Sequence, residues 1–173
     1  MYKLAIGLIG FDKTIVNAIR KSGMAAEVWV AARTEKACRA ALKLDCEAVV
    51  DFSHLLPRTD VIILRGRPSR MAHVCETLKN AGTLPPTAII VSVAMTVPTT
   101  AIEQAIGSSN AVIRVTRSGL RRIRQDTLVI TAGQTATNVE TGIVRQIFGK
   151  WGARVESPKK RRRSKTIVFH PAM

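Results

Sequence analysis

The polar residues of this sequence are suited to hold phosphate, and they do so in two separate places. The first lies near the start. Gly7 lies within the apolar run Leu4–Ile9, Gly10 follows it, and Ile15, Val16, Ala18 and Ile19 come next at helical spacing. A buried strand, a tight glycine turn and a helix N-terminus present main-chain N–H groups and a positive dipole end to an anion. Asp12 disturbs that arrangement. It sets a side chain and a negative charge where a second glycine lets backbone approach a pyrophosphate. Two like charges about 5 Å apart, at an effective dielectric of about 20, repel by roughly 3 kcal/mol, a factor of about 100 in affinity. The same carboxylate is suited to cap the helix and so to occupy the anion's place. Arg33 and Thr34 follow the next apolar segment, Glu27–Ala31, and Arg65, Arg67 and Arg70 follow Val61–Leu64. Three arginines at one strand end suit phosphate groups.

The second place is the C-terminal third. The chain has 173 residues, with 27 Lys and Arg against 12 Asp and Glu, for a net charge of +15. Residues 1–110 hold 13 basic and 9 acidic side chains, and residues 111–173 hold 14 and 3. Arg114, Arg117, Arg121, Arg122 and Arg124 fall within eleven residues, and Lys159, Lys160, Arg161, Arg162, Arg163 and Lys165 follow Pro158. Arginine favours bidentate phosphate contacts and stacking on bases. Charge this dense and one-sided points to a polyanion.

Other chemistries find little support. Cys38, Cys46 and Cys75 are scattered, without CxxC spacing, and read as buried thiols of a reducing compartment. His54, His73 and His170 have no ligand spacing, so no metal site is expected. Asp51, Asp60 and Glu76 read as caps and surface charges, not an acid–base pair, and no catalytic residue is assigned. No apolar run approaches the roughly 20 residues that cross a bilayer, and the early strand argues against a secretory signal. Hydrophobic residues make up 46% and aromatic ones 4%, so the core is built from Ile, Val, Leu and Ala.

The elements that position these residues alternate. Strands are expected at Leu4–Ile9, Glu27–Ala31, Ala48–Val50, Val61–Leu64, Ala88–Val93, Ala111–Val115, Leu128–Thr131 and Ala153–Glu156. Helices are expected from the glycine turn to Ser22, at Glu35–Leu44, briefly at Ser53–Leu56, from Pro68 past Leu78, at Thr99–Ile106 with Thr99 or Thr100 as cap, and at Val139–Phe148. Strand–helix alternation to about residue 110 argues for a mainly parallel, doubly wound sheet with right-handed crossovers. Residues 1–157 form the α/β domain, and residues 158–173 a basic C-terminal extension.

The segments resemble, in order, those of one family. IGLIG, VAARTEK, DVIILRGRP, IIVSVAMTV and AVIRVTRSG are similar to motifs of the N-terminal, NADP-binding domain of pyrroline-5-carboxylate reductase, over about residues 3–157. The resemblance implies a Rossmann-like fold. It also implies a vestigial cofactor site of Gly7, Gly10, Asp12, Arg33, Thr34 and Arg67, with Arg33 and Thr34 at the 2′-phosphate of NADP. The departures are Asp12 for the turn's second glycine, Thr116-Arg117-Ser118 near the family's proline-asparagine pair, and the basic tail where the family has its helical domain.

Loss of the turn and gain of charge favour a non-catalytic structural component of an RNA–protein assembly. A mitochondrial ribosome is the assembly expected, with cytoplasmic or nuclear locations as the other options. Its partners would be rRNA, held by the eleven basic residues of the second place, and neighbouring protein subunits, with no membrane, no cofactor and no homo-oligomer. The alternative is an NADPH-dependent, pyrroline-5-carboxylate reductase-like oxidoreductase.

Overall fold

The computed structural model describes residues 2–117, 127–149 and 154–156. Eight strands form one sheet in the order β3-β2-β1-β4-β5-β6-β7-β8. They are β1 (Leu4–Ile9), β2 (Ala25–Ala31), β3 (Glu47–Val49), β4 (Val61–Leu64), β5 (Ile89–Ser92), β6 (Val112–Arg117), β7 (Thr127–Ala132) and β8 (Arg154–Glu156). All neighbouring pairs are parallel except β6–β7. The expected Rossmann-like, mainly parallel sheet is present. The chain runs outward from β1 to β3, then returns to β4 on the other side of β1. The strand order reverses between β1 and β4, and at such a switch point the loops leaving the C-terminal strand ends diverge and open a crevice.

Helices cover both faces. They are α1 (Lys13–Ser22), α2 (Glu35–Leu42), α3 (Pro68–Asn80), α4 (Thr99–Ile106) and α5 (Asn138–Gly149). Alternate residues of the central strands point to opposite layers. Ile6, Leu8 and Ile63 pack with Ile15, Val16 and Ile19 of α1 and with Val144, Ile147 and Phe148 of α5. Ile9, Ile62 and Leu64 pack with Met71, Cys75 and Leu78 of α3 and with Ile102 and Ile106 of α4. Every residue of β4 and β5 is buried, which explains the apolar runs Val61–Leu64 and Ile89–Val91. Among the described residues no helix is long and apolar enough to cross a membrane.

Local chemistry sets the boundaries. Pro68 opens α3 at a position where its missing N–H costs nothing, as expected. Thr137 and Glu140 form a capping box at α5: the Thr137 N–H donates to Glu140 Oε2 at 2.8 Å, and the Val139 N–H donates to Thr137 Oγ1 at 3.2 Å. The Thr137 hydroxyl holds the Glu140 carboxyl below the usual range. Three expectations need correction. Helix α4 starts without a side-chain cap, because Pro98 takes the N-cap position in extended geometry and Thr99 is already helical and buried. Helix α2 ends at Leu42, where the chain tightens into a turn that reaches a left-handed Asp45. The single turn expected at Ser53–Leu56 is two 3₁₀ turns, Phe52–His54 and Leu56–Arg58.

Those 3₁₀ turns fix the role of Gly7. It lies inside β1, opposite Trp29 and Ile62. A Cβ there would stand 2.8 Å from Leu55 Cδ1 and 3.0 Å from Thr59 Cγ2. Leu55 is fully buried and Thr59 nearly so. The Gly7→Ala variant is therefore expected to lose about 1–3 kcal/mol of stability, read from its urea unfolding midpoint; an unchanged midpoint would remove this packing role.

Candidate functional site

The crevice at the switch point is a cleft of about 870 Å³. It is lined by the segments that follow β1, β4 and β5 and by residues of β6 and β7. One wall carries Asp12 and Thr14 at the start of α1, a second carries Arg65, Gly66, Arg67 and Pro68, and a third carries Val93–Thr96. Val115, Thr116 and Leu128 close the far end.

Gly10 makes the turn into α1. Its φ of +91° is left-handed, and a Cβ on it would lie 3.0 Å from the Arg65 carbonyl oxygen, so glycine lets the β1 turn rest on the end of β4. The Gly10 N–H donates to Ala31 O at 3.0 Å, and the Arg65 N–H donates to Ile9 O at 3.1 Å. The turn is thus tied to both neighbouring strands.

Asp12 caps α1, as the sequence suggested. Its Oδ1 accepts from the N–H groups of Thr14 at 2.8 Å and Ile15 at 3.3 Å. Its Oδ2 lies 3.2 Å from Arg65 Nε. The carboxylate therefore occupies the helix end that would face a phosphate, but it does not stand there as a bare charge. Arg65 neutralises it. The simple repulsion expected from the sequence is reduced accordingly, since the pair carries no net charge. Asp12 and Arg65 are partly exposed, so the ion pair contributes on the order of 1 kcal/mol or less, and the cap contributes about 1 kcal/mol.

The remaining residues divide. Arg67 lines the cleft beside Arg65, whereas Arg70, on the first turn of α3, does not. Arg33 is exposed at the end of β2, and Thr34 spends its hydroxyl capping α2, accepting from the Ala37 N–H at 3.2 Å. Both stand on the C-terminal sheet edge, beyond Gly10 and outside the cleft lining. The thiols are bland: Cys46 and Cys75 are buried, and burial pushes the Cys75 thiol up to about 11. Asp51 caps a 3₁₀ turn, and Asp60 accepts from the Ala5 N–H at 2.8 Å.

Of the arginine cluster expected from the sequence, Arg114 and Arg117 lie among the described residues. Arg114 is half-buried, next to Ser92 in the sheet, and donates to Val97 O at 3.4 Å. That bond ties β6 to the loop just after Thr96. Arg117 ends β6. Arg121, Arg122, Arg124, Lys159, Lys160, Arg161, Arg162, Arg163 and Lys165 lie outside the described residues, as does the proposed extension 158–173. The pairing of Arg65 with Asp12, and the wall formed by Met95 and Thr96, were not anticipated. A basic residue just past a buried strand, beside a turn that carries an acid, was the available signal for the first.

No protein-family model matches the chain, and no curated protein sequence matches it. Solved structures do. The pyrroline-5-carboxylate reductase of Coxiella burnetii is 20% identical with a TM-score of 0.76, over 90% of this chain and 58% of that one. The Plasmodium falciparum pyrroline carboxylate reductase with NADP bound is 13% identical with a TM-score of 0.73, over 92% and 59%. Synechocystis arogenate dehydrogenase is 18% identical with a TM-score of 0.71, over 89% and 59%. The chain resembles the N-terminal, Rossmann-like domain of the pyrroline-5-carboxylate reductases, and it spans less than two thirds of the length of these structures. At such identities the likeness shows the fold. The expectation of a ribosomal, RNA-binding role is corrected here: the similar structures are reductases and dehydrogenases, which favours the oxidoreductase alternative. The expectation of no cofactor loses its support with it, since one of these structures holds NADP.

Asp12 gives a direct test of the local geometry. Asp12→Ala is expected to lose about 1 kcal/mol of stability, and Asp12→Asn only a few tenths, because Asn caps nearly as well. Equal losses in urea unfolding would mean that the ion pair, not the cap, is what stabilises the turn.

Proposed function

We propose that this chain is the dinucleotide-binding module of an NADPH-dependent reductase of the pyrroline-5-carboxylate reductase kind. The observation that carries the reading is the cleft at the β1–β4 switch point, lined by two arginines at the end of β4. Open α/β sheets bind ligands at that edge. The residues present fit a phosphate-bearing cofactor in part: Arg65 and Arg67 offer guanidinium groups, and Gly10 brings the β1 turn close, while Asp12 takes the helix N–H groups. Phosphate would thus be held by side chains more than by the main chain.

NADPH is preferred to NADH in this reading. No acidic residue ends β2 to accept the ribose hydroxyls of NADH. Ala31, Ala32 and exposed Arg33 stand there instead, and a guanidinium suits the extra phosphate. When bound, NADPH supplies a hydride; the substrate class proposed is a cyclic imine. The chain's own contribution is to bind and orient. Arg33, Arg65 and Arg67 hold phosphates along the sheet edge, while Met95, Thr96 and Thr116 shape the end of the cleft toward β6. The described residues would form the cofactor half of such a site.

Fluorescence titration tests this. NADPH is expected to give saturable enhancement, with NADH on the order of tenfold weaker, the worth of one charge-assisted contact. Arg33→Ala is expected to erase most of that difference. No saturable signal with either nucleotide would overturn the reading.

A further inference from the structure

We propose that Arg65 is the principal phosphate-gripping residue of the cleft, acting as a bridge that holds Asp12 with one edge of its guanidinium and the ligand's phosphate with the other. The assignment rests on the cofactor reading above and adds to it the atom group that replaces the glycine turn.

The helix end itself is spent. Thr14 and Ile15 already donate their N–H groups to Asp12 Oδ1. A phosphate arriving there finds a carboxylate, not free amides. The cation next to that carboxylate is Arg65, whose Nε lies 3.2 Å from Asp12 Oδ2. A guanidinium has five N–H donors in a rigid fork. Its Nε edge faces Asp12, and the side chain is 48% exposed and lines the cleft, so the outer edge of the fork can meet a ligand.

The backbone makes this aim dependable. The Arg65 N–H is bonded to Ile9 O, and its carbonyl rests against Gly10. The main chain is held on both counts, and Asp12 restrains the side chain from a third direction. A long side chain with fewer rotamers left to lose gives up less entropy when it meets a ligand. Asp12 thus has a positive role: it preorganises the arginine. The ion pair alone is weak, worth on the order of fivefold at most in an equilibrium. A charge-assisted, bidentate guanidinium–phosphate contact is stronger, so the phosphate is the dominant partner of the fork while Asp12 keeps the Nε edge. Arg67, two residues on, adds a second cation on the same wall.

A double-mutant cycle reads the proposal. Asp12→Asn keeps the cap and removes the charge; Arg65→Gln keeps length and polarity. NADPH affinity is measured by fluorescence in the parent, both single variants and the double variant, with melting temperatures confirming that each is folded. Arg65→Gln in the parent is expected to weaken NADPH on the order of 100-fold, because the phosphate contact is lost and Asp12 is left bare beside the ligand. In the Asp12→Asn background the same change is expected to weaken it about tenfold. No loss in that background would mean that Arg65 serves only Asp12, and the assignment would be overturned. Inorganic pyrophosphate separates this failure from failure of the cofactor reading. If NADPH binds none of the four proteins but pyrophosphate raises the melting temperature only where Arg65 is present, the phosphate grip stands and the cofactor reading falls. If neither ligand acts on any of them, both are overturned.

Discussion

The position of β1 is the constraint on which the rest depends. It is the one strand from which the chain leaves in one direction and returns on the other, so it pairs with β2 on one edge and β4 on the other. Both edges are used, both faces are buried, and the two glycines relieve the crowding that results. Gly7 admits Leu55 and Thr59 from the layer above, and Gly10 admits the Arg65 carbonyl at the strand end. A side chain at Gly7 would press on the layer that covers β1, and one at Gly10 would press on the end of β4. The cleft is a consequence of this packing. It forms because the loops leaving β1 and β4 turn away from each other, and it would exist whatever charges lined it.

That separation between fold and charge explains what could be read from the residues alone. Elements whose burial is complete were legible. Leu4–Ile9 and Val61–Leu64 are strands over those residues, because a strand covered on both faces has no polar position to blur its ends. Pro68 and Gly23 marked helix ends through backbone chemistry that does not depend on neighbours. The Asp12 cap was legible for the same reason, since its partners are two and three residues away. The ion pair with Arg65 was not, because it spans 53 positions and exists only once β1 and β4 lie side by side. Arg114 shows the limit most clearly. In sequence it heads a run of basic residues, and in the sheet it is drawn under the Val97 loop by its strand register opposite Ser92.

Net charge states what a chain attracts at a distance, and it carries no information about which groove a ligand enters. A site is specified by groups that converge, and convergence is a property of the fold. In the described part of this chain, the cations that converge on a concavity are Arg65 and Arg67, at the end of one buried strand.

The exchange of a glycine for an aspartate in the β1 turn also takes a different meaning when its partner is considered. Alone, the aspartate closes an anion site by filling it. Paired, it changes the kind of site. Main-chain N–H groups at a helix end are fixed in place and read the shape of a pyrophosphate closely. A guanidinium held by an acid reads charge and planar oxygen geometry, and its strength varies with salt because its charge is partly exposed. A cleft of the second kind tolerates more varied phosphate esters than one of the first kind, since a side chain can follow the ligand where a backbone turn cannot. Under the proposed function, the replacement would relax recognition of the pyrophosphate geometry while keeping recognition of phosphate itself, and discrimination among ligands would shift to the parts of the cleft lined by Met95, Thr96 and Thr116.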